Sequence, residues 1–109
     1  MKRHLIYIIG ILLCVSTTLN AQSVTFSDST LVYNKAMADS AYTAADYATA
    51  IHIYEQLLAT EGESAPVYYN LGNAYFKSNG IARSILNYER ALLLDPSDDD
   101  ILFNLELAR

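Results

Sequence analysis

"YYNLGNAYF", residues 68–76, has the spacing of a helix with a glycine at its centre. Tyr68, Leu71, Gly72 and Tyr75 fall at i, i+3, i+4 and i+7, one stripe of a 3.6-residue period. A glycine inside a helix costs about 1 kcal/mol against alanine, so Gly72 needs a structural reason. Part of the phrase, Asn70-Leu71, returns 34 residues later as Asn104-Leu105.

Working outward, "ADSAYTAADYATAIHIYEQLL" (38–58) overlays "GNAYFKSNGIARSILNYERAL" (72–92) without a gap, again at an offset of 34. A fixed period of this size marks a stack of similar supersecondary units. Ile81, Ile85, Tyr88 and Leu92 resume the helical spacing after a break at Asn79-Gly80, residues that tolerate left-handed turn conformations. Asp46 holds the corresponding place one unit earlier. Ser64 is placed to cap the next helix, with Pro66 in its first turn, and Ser97 or Asp98 to cap the last. The expected fold is all-α: five antiparallel helices over about 31–44, 47–59, 65–78, 81–94 and 99–109. Gly72 and Ala38 then fall where the two helices of each hairpin cross, and a small residue there lets the backbones approach.

The chain of 109 residues opens with "MKRHLIYIIGILLCVSTTLNAQ", a basic start, an apolar run from Leu5 to Val15 and small residues up to Ala21. That is the pattern of a secretory signal peptide, and cleavage is expected after Ala21. The apolar run is shorter than the ~20 residues of a spanning helix, and Leu13 before Cys14 argues against a lipoprotein signal. Without residues 1–21 the chain keeps five basic and twelve acidic side chains and no cysteine. An acidic surface repels phosphate backbones, so nucleic acid is not an expected partner. An exported domain without cysteine is held by packing, with no disulfide. The expected organisation is a signal peptide at 1–21, a linker at 22–30, repeats at 31–64 and 65–98, and the first helix of a third repeat at 99–109.

A 34-residue helix-turn-helix with this pattern resembles the tetratricopeptide repeat. The second unit carries Tyr68, Leu71-Gly72, Tyr75, Tyr88, Ala91 and Pro96 at that family's spacing, with Ser84 for the usual alanine. The first unit keeps Ala38, Ala50 and Tyr54 but departs at Asn34 and Leu57, and Glu106 stands where a third glycine would fall. The resemblance implies a helix-hairpin solenoid of two full repeats plus one helix. "ILNYERALLLDPSDDDILFNLELAR" (85–109), behind a signal peptide, is further similar to the tetratricopeptide (BatE-type) member of the Bat aerotolerance group. That likeness implies a periplasmic or envelope location and a membrane-bound von Willebrand A-type partner. Members of that group continue past such a region, and a solenoid end needs a polar outer face, so the chain reads as a fragment.

The residues themselves offer little chemistry. His52 has no Cys, His or carboxylate cluster with it, which argues against a metal site. In "DPSDDDILFNLE" (95–106) the acidic spacing approximates a calcium loop, but Asp100 replaces the turn glycine. No Gly-rich phosphate loop or serine nucleophile motif is present, so neither an enzyme nor a cofactor is expected. Stacked hairpins of this family bind peptides along the first helix of each unit. Here that face holds Lys35, Asp39 and Tyr42, then Tyr69, Asn70, Asn73, Phe76 and Lys77, then Phe103, Asn104 and Leu107. Rings supply contact area and amides can bond an extended main chain. The family's carboxylate clamp does not fit: Lys35 and Asn70 match it, but Asp39 and Asp100 would repel a carboxylate. The sequence thus points to an exported, non-catalytic scaffold that holds another envelope protein, with a structural or self-assembling segment as the alternative.

Overall fold

Asn79 adopts φ 68 and Ala45 adopts φ 60, the two non-glycine residues with positive φ among the described residues. They lie 34 residues apart, and the backbone bonds around them repeat. Ala45 N–H donates to the Tyr42 carbonyl and Asp46 N–H to that of Ala41; Asn79 and Gly80 donate to Phe76 and Tyr75 in the same way. One turn has therefore been built twice. The structure, a computed structural model, describes residues 31–109. The expected signal peptide and linker, 1–30, lie outside the described residues.

Five helices follow one another: α1 (Lys35–Thr43), α2 (Tyr47–Glu61), α3 (Ala65–Lys77), α4 (Ile81–Leu94) and α5 (Asp99–Ala108). The fold is all-helical, with no strand among the described residues. Each helix packs on the one before it, and α3 also touches α5. Caps set the boundaries. Helix α1 starts at Lys35 rather than 31 because Asn34 is extended and its side chain accepts from Met37 N–H at 3.0 Å. Helix α2 runs two residues past 59, to Glu61, and stops at Gly62, whose φ of 92 suits glycine. Ser64 accepts from Val67 N–H, and Asp98 accepts from Asp100 and Ile101 N–H. Residues 99–106 are thus helical, as the 34-residue period predicts. At the hairpin turns the left-handed residues are Asn79 and Ala45. Gly80 and Asp46 are instead the N-caps of α4 and α2, in negative-φ backbone.

The core falls into two clusters. One joins Ala38, Ala50, Ile53, Tyr54 and Leu57 to Val67, Leu71, Ala74 and Tyr75. The other joins Tyr68 and Tyr88 to Ala91, Ile101, Leu105 and Ala108. The four tyrosines expected in the core, 54, 68, 75 and 88, are all buried. On α4 the buried stripe is Ser84, Asn87, Tyr88 and Ala91, while Ile81, Ile85 and Leu92 are only half-buried. The reason is Gly72. A Cβ there would lie 2.6 Å from Cδ1 and Cε1 of Tyr88, so a ring fills the space that a side chain would take. Small Ser84 and Ala91, one turn to either side, let α4 close on α3, and Ser84 Oγ donates to the Gly72 carbonyl at 2.8 Å. The glycine serves a close approach as expected, but what approaches is a ring rather than a backbone.

Candidate functional site on the α1, α3 and α5 face

Two clefts of about 240 Å³ each lie side by side on this face and share Tyr42. The first is lined by Lys35, Asp39, Tyr42 and Asn70, with Thr43 and Tyr54. The second is lined by Tyr42, Asn73, Phe76, Lys77, Asn104 and Leu107, over Tyr88. Nine of the eleven residues expected on this face are therefore brought together. Tyr69 and Phe103 line neither cleft. Tyr69 lies half-buried against Tyr88, with ring centroids 6.0 Å apart, and Phe103 projects outward, 68% exposed.

The polar groups are already arranged into two similar networks. Tyr54 Oη donates to Asp39 Oδ1 at 2.5 Å, and Tyr88 Oη donates to Asn73 Oδ1 at 2.5 Å. Donors and acceptors are each 34 residues apart, so the turn is not the only feature that recurs. In the first network Lys35 Nζ also donates to Asp39 Oδ2 at 2.7 Å. Burial pushes the Asp39 carboxyl up, but the bonds from Lys35 and Tyr54 outweigh it and hold the group below 3.8. In the second, Asn104 Nδ2 donates to Asn73 Oδ1 at 3.0 Å and to Tyr69 Oη at 2.9 Å. Asn104 ties α5 to α3. Burial raises the Tyr88 phenol to about 12 and raises that of Tyr54 further, with Asp39 adding to the second effect.

These networks change the roles assigned from sequence. Asn73 Oδ1 and Asn104 Nδ2 are engaged within the fold, which leaves Asn73 Nδ2 and Asn104 Oδ1 for a ligand. Among the described residues, Asn70 makes no side-chain hydrogen bond and Lys77 is in no ion pair. Tyr54 and Tyr88 contribute to the clefts although they belong to the second helix of each hairpin. Their signal was in the sequence, in the shared 15-residue separation from Asp39 and Asn73, but side-chain reach is not visible in a helical pattern. With Lys35 bound to Asp39, the carboxylate clamp loses its basic member as well. Among the described residues, no three His, Cys, Asp or Glu side chains gather as a metal site would need, and no helix is long and apolar enough to cross a membrane.

No protein-family model matches the chain, and no curated protein is similar enough to count as a match.

Proposed function

We propose that the chain is an exported, non-catalytic scaffold of the tetratricopeptide type that holds another envelope protein along the α1, α3 and α5 face. The observation that carries this reading is the pair of adjoining clefts meeting at Tyr42, edged by the unused amide groups of Asn70, Asn73 and Asn104. Rings and unspent amides in one row suit an extended peptide, whose main chain needs both donors and acceptors. The recurrence of turn, left-handed residue and tyrosine bond at a 34-residue offset supports a helix-hairpin repeat. The signal-like start supports export. The likeness to the Bat group suggests aerotolerance as the process and a membrane-bound von Willebrand A-type protein as the partner.

Site-specific photo-crosslinking in cells tests the reading. Asn70 is a better probe position than Asn73, whose side chain holds the fold together. A discrete adduct from position 70, absent from a control probe at exposed His52 on α2, supports the groove. The same species from both positions, or none from 70, sinks it.

A second reading has its own observation. Phe103 is 68% exposed and Leu107 62%, an apolar pair one turn apart on α5 suited to stacking on further repeats or on a second copy. Self-association that rises with concentration and is abolished by Phe103→Ser with Leu107→Ser would favour that structural role.

A further inference from the structure

A larger cleft, about 570 Å³, is on another face, between α2 and α4. Tyr68, Leu71 and Tyr75 of α3 form its floor. Its α4 wall presents Arg83, Leu86, Asn87 and Arg90, one stripe of that helix.

Three observations make this more than a crevice. Residues 31–109 contain five lysines and arginines among a clear excess of acids. Lys35 is paired with Asp39, and Arg109 with Glu89 and Glu106. Two of the three remaining cations, Arg83 and Arg90, border this one cleft. Each is held over a floor ring, Arg83 at 5.7 Å from the Tyr75 centroid and Arg90 at 5.9 Å from that of Tyr68. Glu55 on the opposite wall accepts from the Tyr75 hydroxyl and forms no ion pair with either arginine among the described residues. Between the arginines lies Asn87, 3% exposed, whose Nδ2 donates to the Arg83 carbonyl at 2.8 Å. Its Oδ1 is buried and has no hydrogen-bond partner. Buried polar groups are nearly always paired, and an orphan acceptor calls for a missing donor.

We propose that this cleft binds an acidic peptide segment, with carboxylates on Arg83 and Arg90 and a main-chain N–H donated to Asn87 Oδ1. Seven residues of helix separate the arginines by ~10 Å along the axis. A peptide in the polyproline II conformation rises about 3.1 Å per residue and returns to the same side every three residues, so the preferred ligand carries two acids three residues apart. Guanidinium forks suit carboxylates geometrically as well as by charge. Leu86 and the rings of the floor supply the apolar contact between them.

The test uses the full chain and a fluorescein-labelled hexapeptide, Gly-Asp-Ala-Ala-Asp-Gly, against its Asn-for-Asp counterpart, read by anisotropy. The expected result is binding of the acidic peptide alone, weakening as salt rises. Arg83→Gln and Arg90→Gln should each lower affinity about five- to tenfold, because one charge-assisted contact is lost, and the double variant should abolish it. Asn87→Leu should raise the melting temperature, since the orphan acceptor is gone, yet weaken the peptide. Lys77→Gln on the α1, α3 and α5 face should leave binding unchanged, which separates this cleft from the scaffold groove. Equal binding of both peptides, unchanged affinity in both arginine variants, or loss through Lys77→Gln would each overturn the proposal.

Discussion

Replacing Gly72 by alanine sets two effects of opposite sign against each other. Helix propensity favours the alanine by about 1 kcal/mol. Against it stands the Tyr88 ring, which a new Cβ would meet at 2.6 Å. Relief to an ordinary contact of 3.4 Å needs a retreat of about 0.8 Å. The ring is poorly placed to give. It is 2% exposed, and its hydroxyl is held by Asn73 at 2.5 Å. Overpacking of this kind costs about 1–3 kcal/mol, and a released hydroxyl adds about 1 kcal/mol. Gly72→Ala should therefore destabilise the domain by about 1–3 kcal/mol, a fall in melting temperature of about 5–25 °C for a domain this small. Thermal denaturation followed by circular dichroism measures it, and Tyr88→Leu in the same chain should remove most of the penalty. The first hairpin carries alanine at the matching position, Ala38, with Tyr54 nearby. If Gly72→Ala melts at or above the wild-type temperature, the second hairpin can open as the first does, and the ring contact is not why glycine stands there.

Ala45 holds φ 60 with its side chain in solvent, so Ala45→Gly relieves left-handed strain without losing packing. A gain of about 1 kcal/mol is expected in urea denaturation. Asn104→Ala removes both bonds from α5 to α3, and hydrogen exchange should show α5 amides opening sooner than those of α3. Alkaline pH should destabilise the fold. The raised tyrosine pKa values favour the protonated phenols in the native state, so that stability is complete below about 10, the ordinary tyrosine value. For Tyr88 it is lost as pH rises through about 12, and the urea midpoint should fall across that window. Tyr88→Phe should flatten the fall.

The helices were legible because two independent signals agreed: the apolar spacing within each unit and the offset of 34 between units. Capping residues located the ends well where one candidate stood alone, as with Ser64. Asn34 was instead read as a poor repeat residue, although its amide was the cap that moved the start of α1. The α4 face was harder. Ile81, Ile85 and Leu92 look like a core stripe, but Gly72 draws Tyr88 inward and turns the helix so that Ser84, Asn87 and Ala91 lie inside. Spacing counts hydrophobicity and cannot weigh a neighbour's missing side chain. The same limit governs the candidate face. Its residues were named from helix register, whereas their mutual hydrogen bonds, which consume half of Asn73 and Asn104, depend on tertiary distance. The cleft between α2 and α4 left no trace for a different reason: two arginines seven residues apart form no motif until the unpaired amide between them is seen.

Because each helix packs chiefly on its neighbours in the chain, nearly every contact forms between segments that leave the ribosome in succession. Such a domain can gain structure while it is still being made, without waiting for a distant strand or helix to arrive. The same ordering governs its response to load. Pulled from the two ends of residues 31–109, the described helices have no clasp between distant parts of the chain to break all at once. They should yield hairpin by hairpin, each release freeing about 34 residues and ~110 Å of contour length. A protein of this build, placed between partners, would lengthen in steps under tension before it parts.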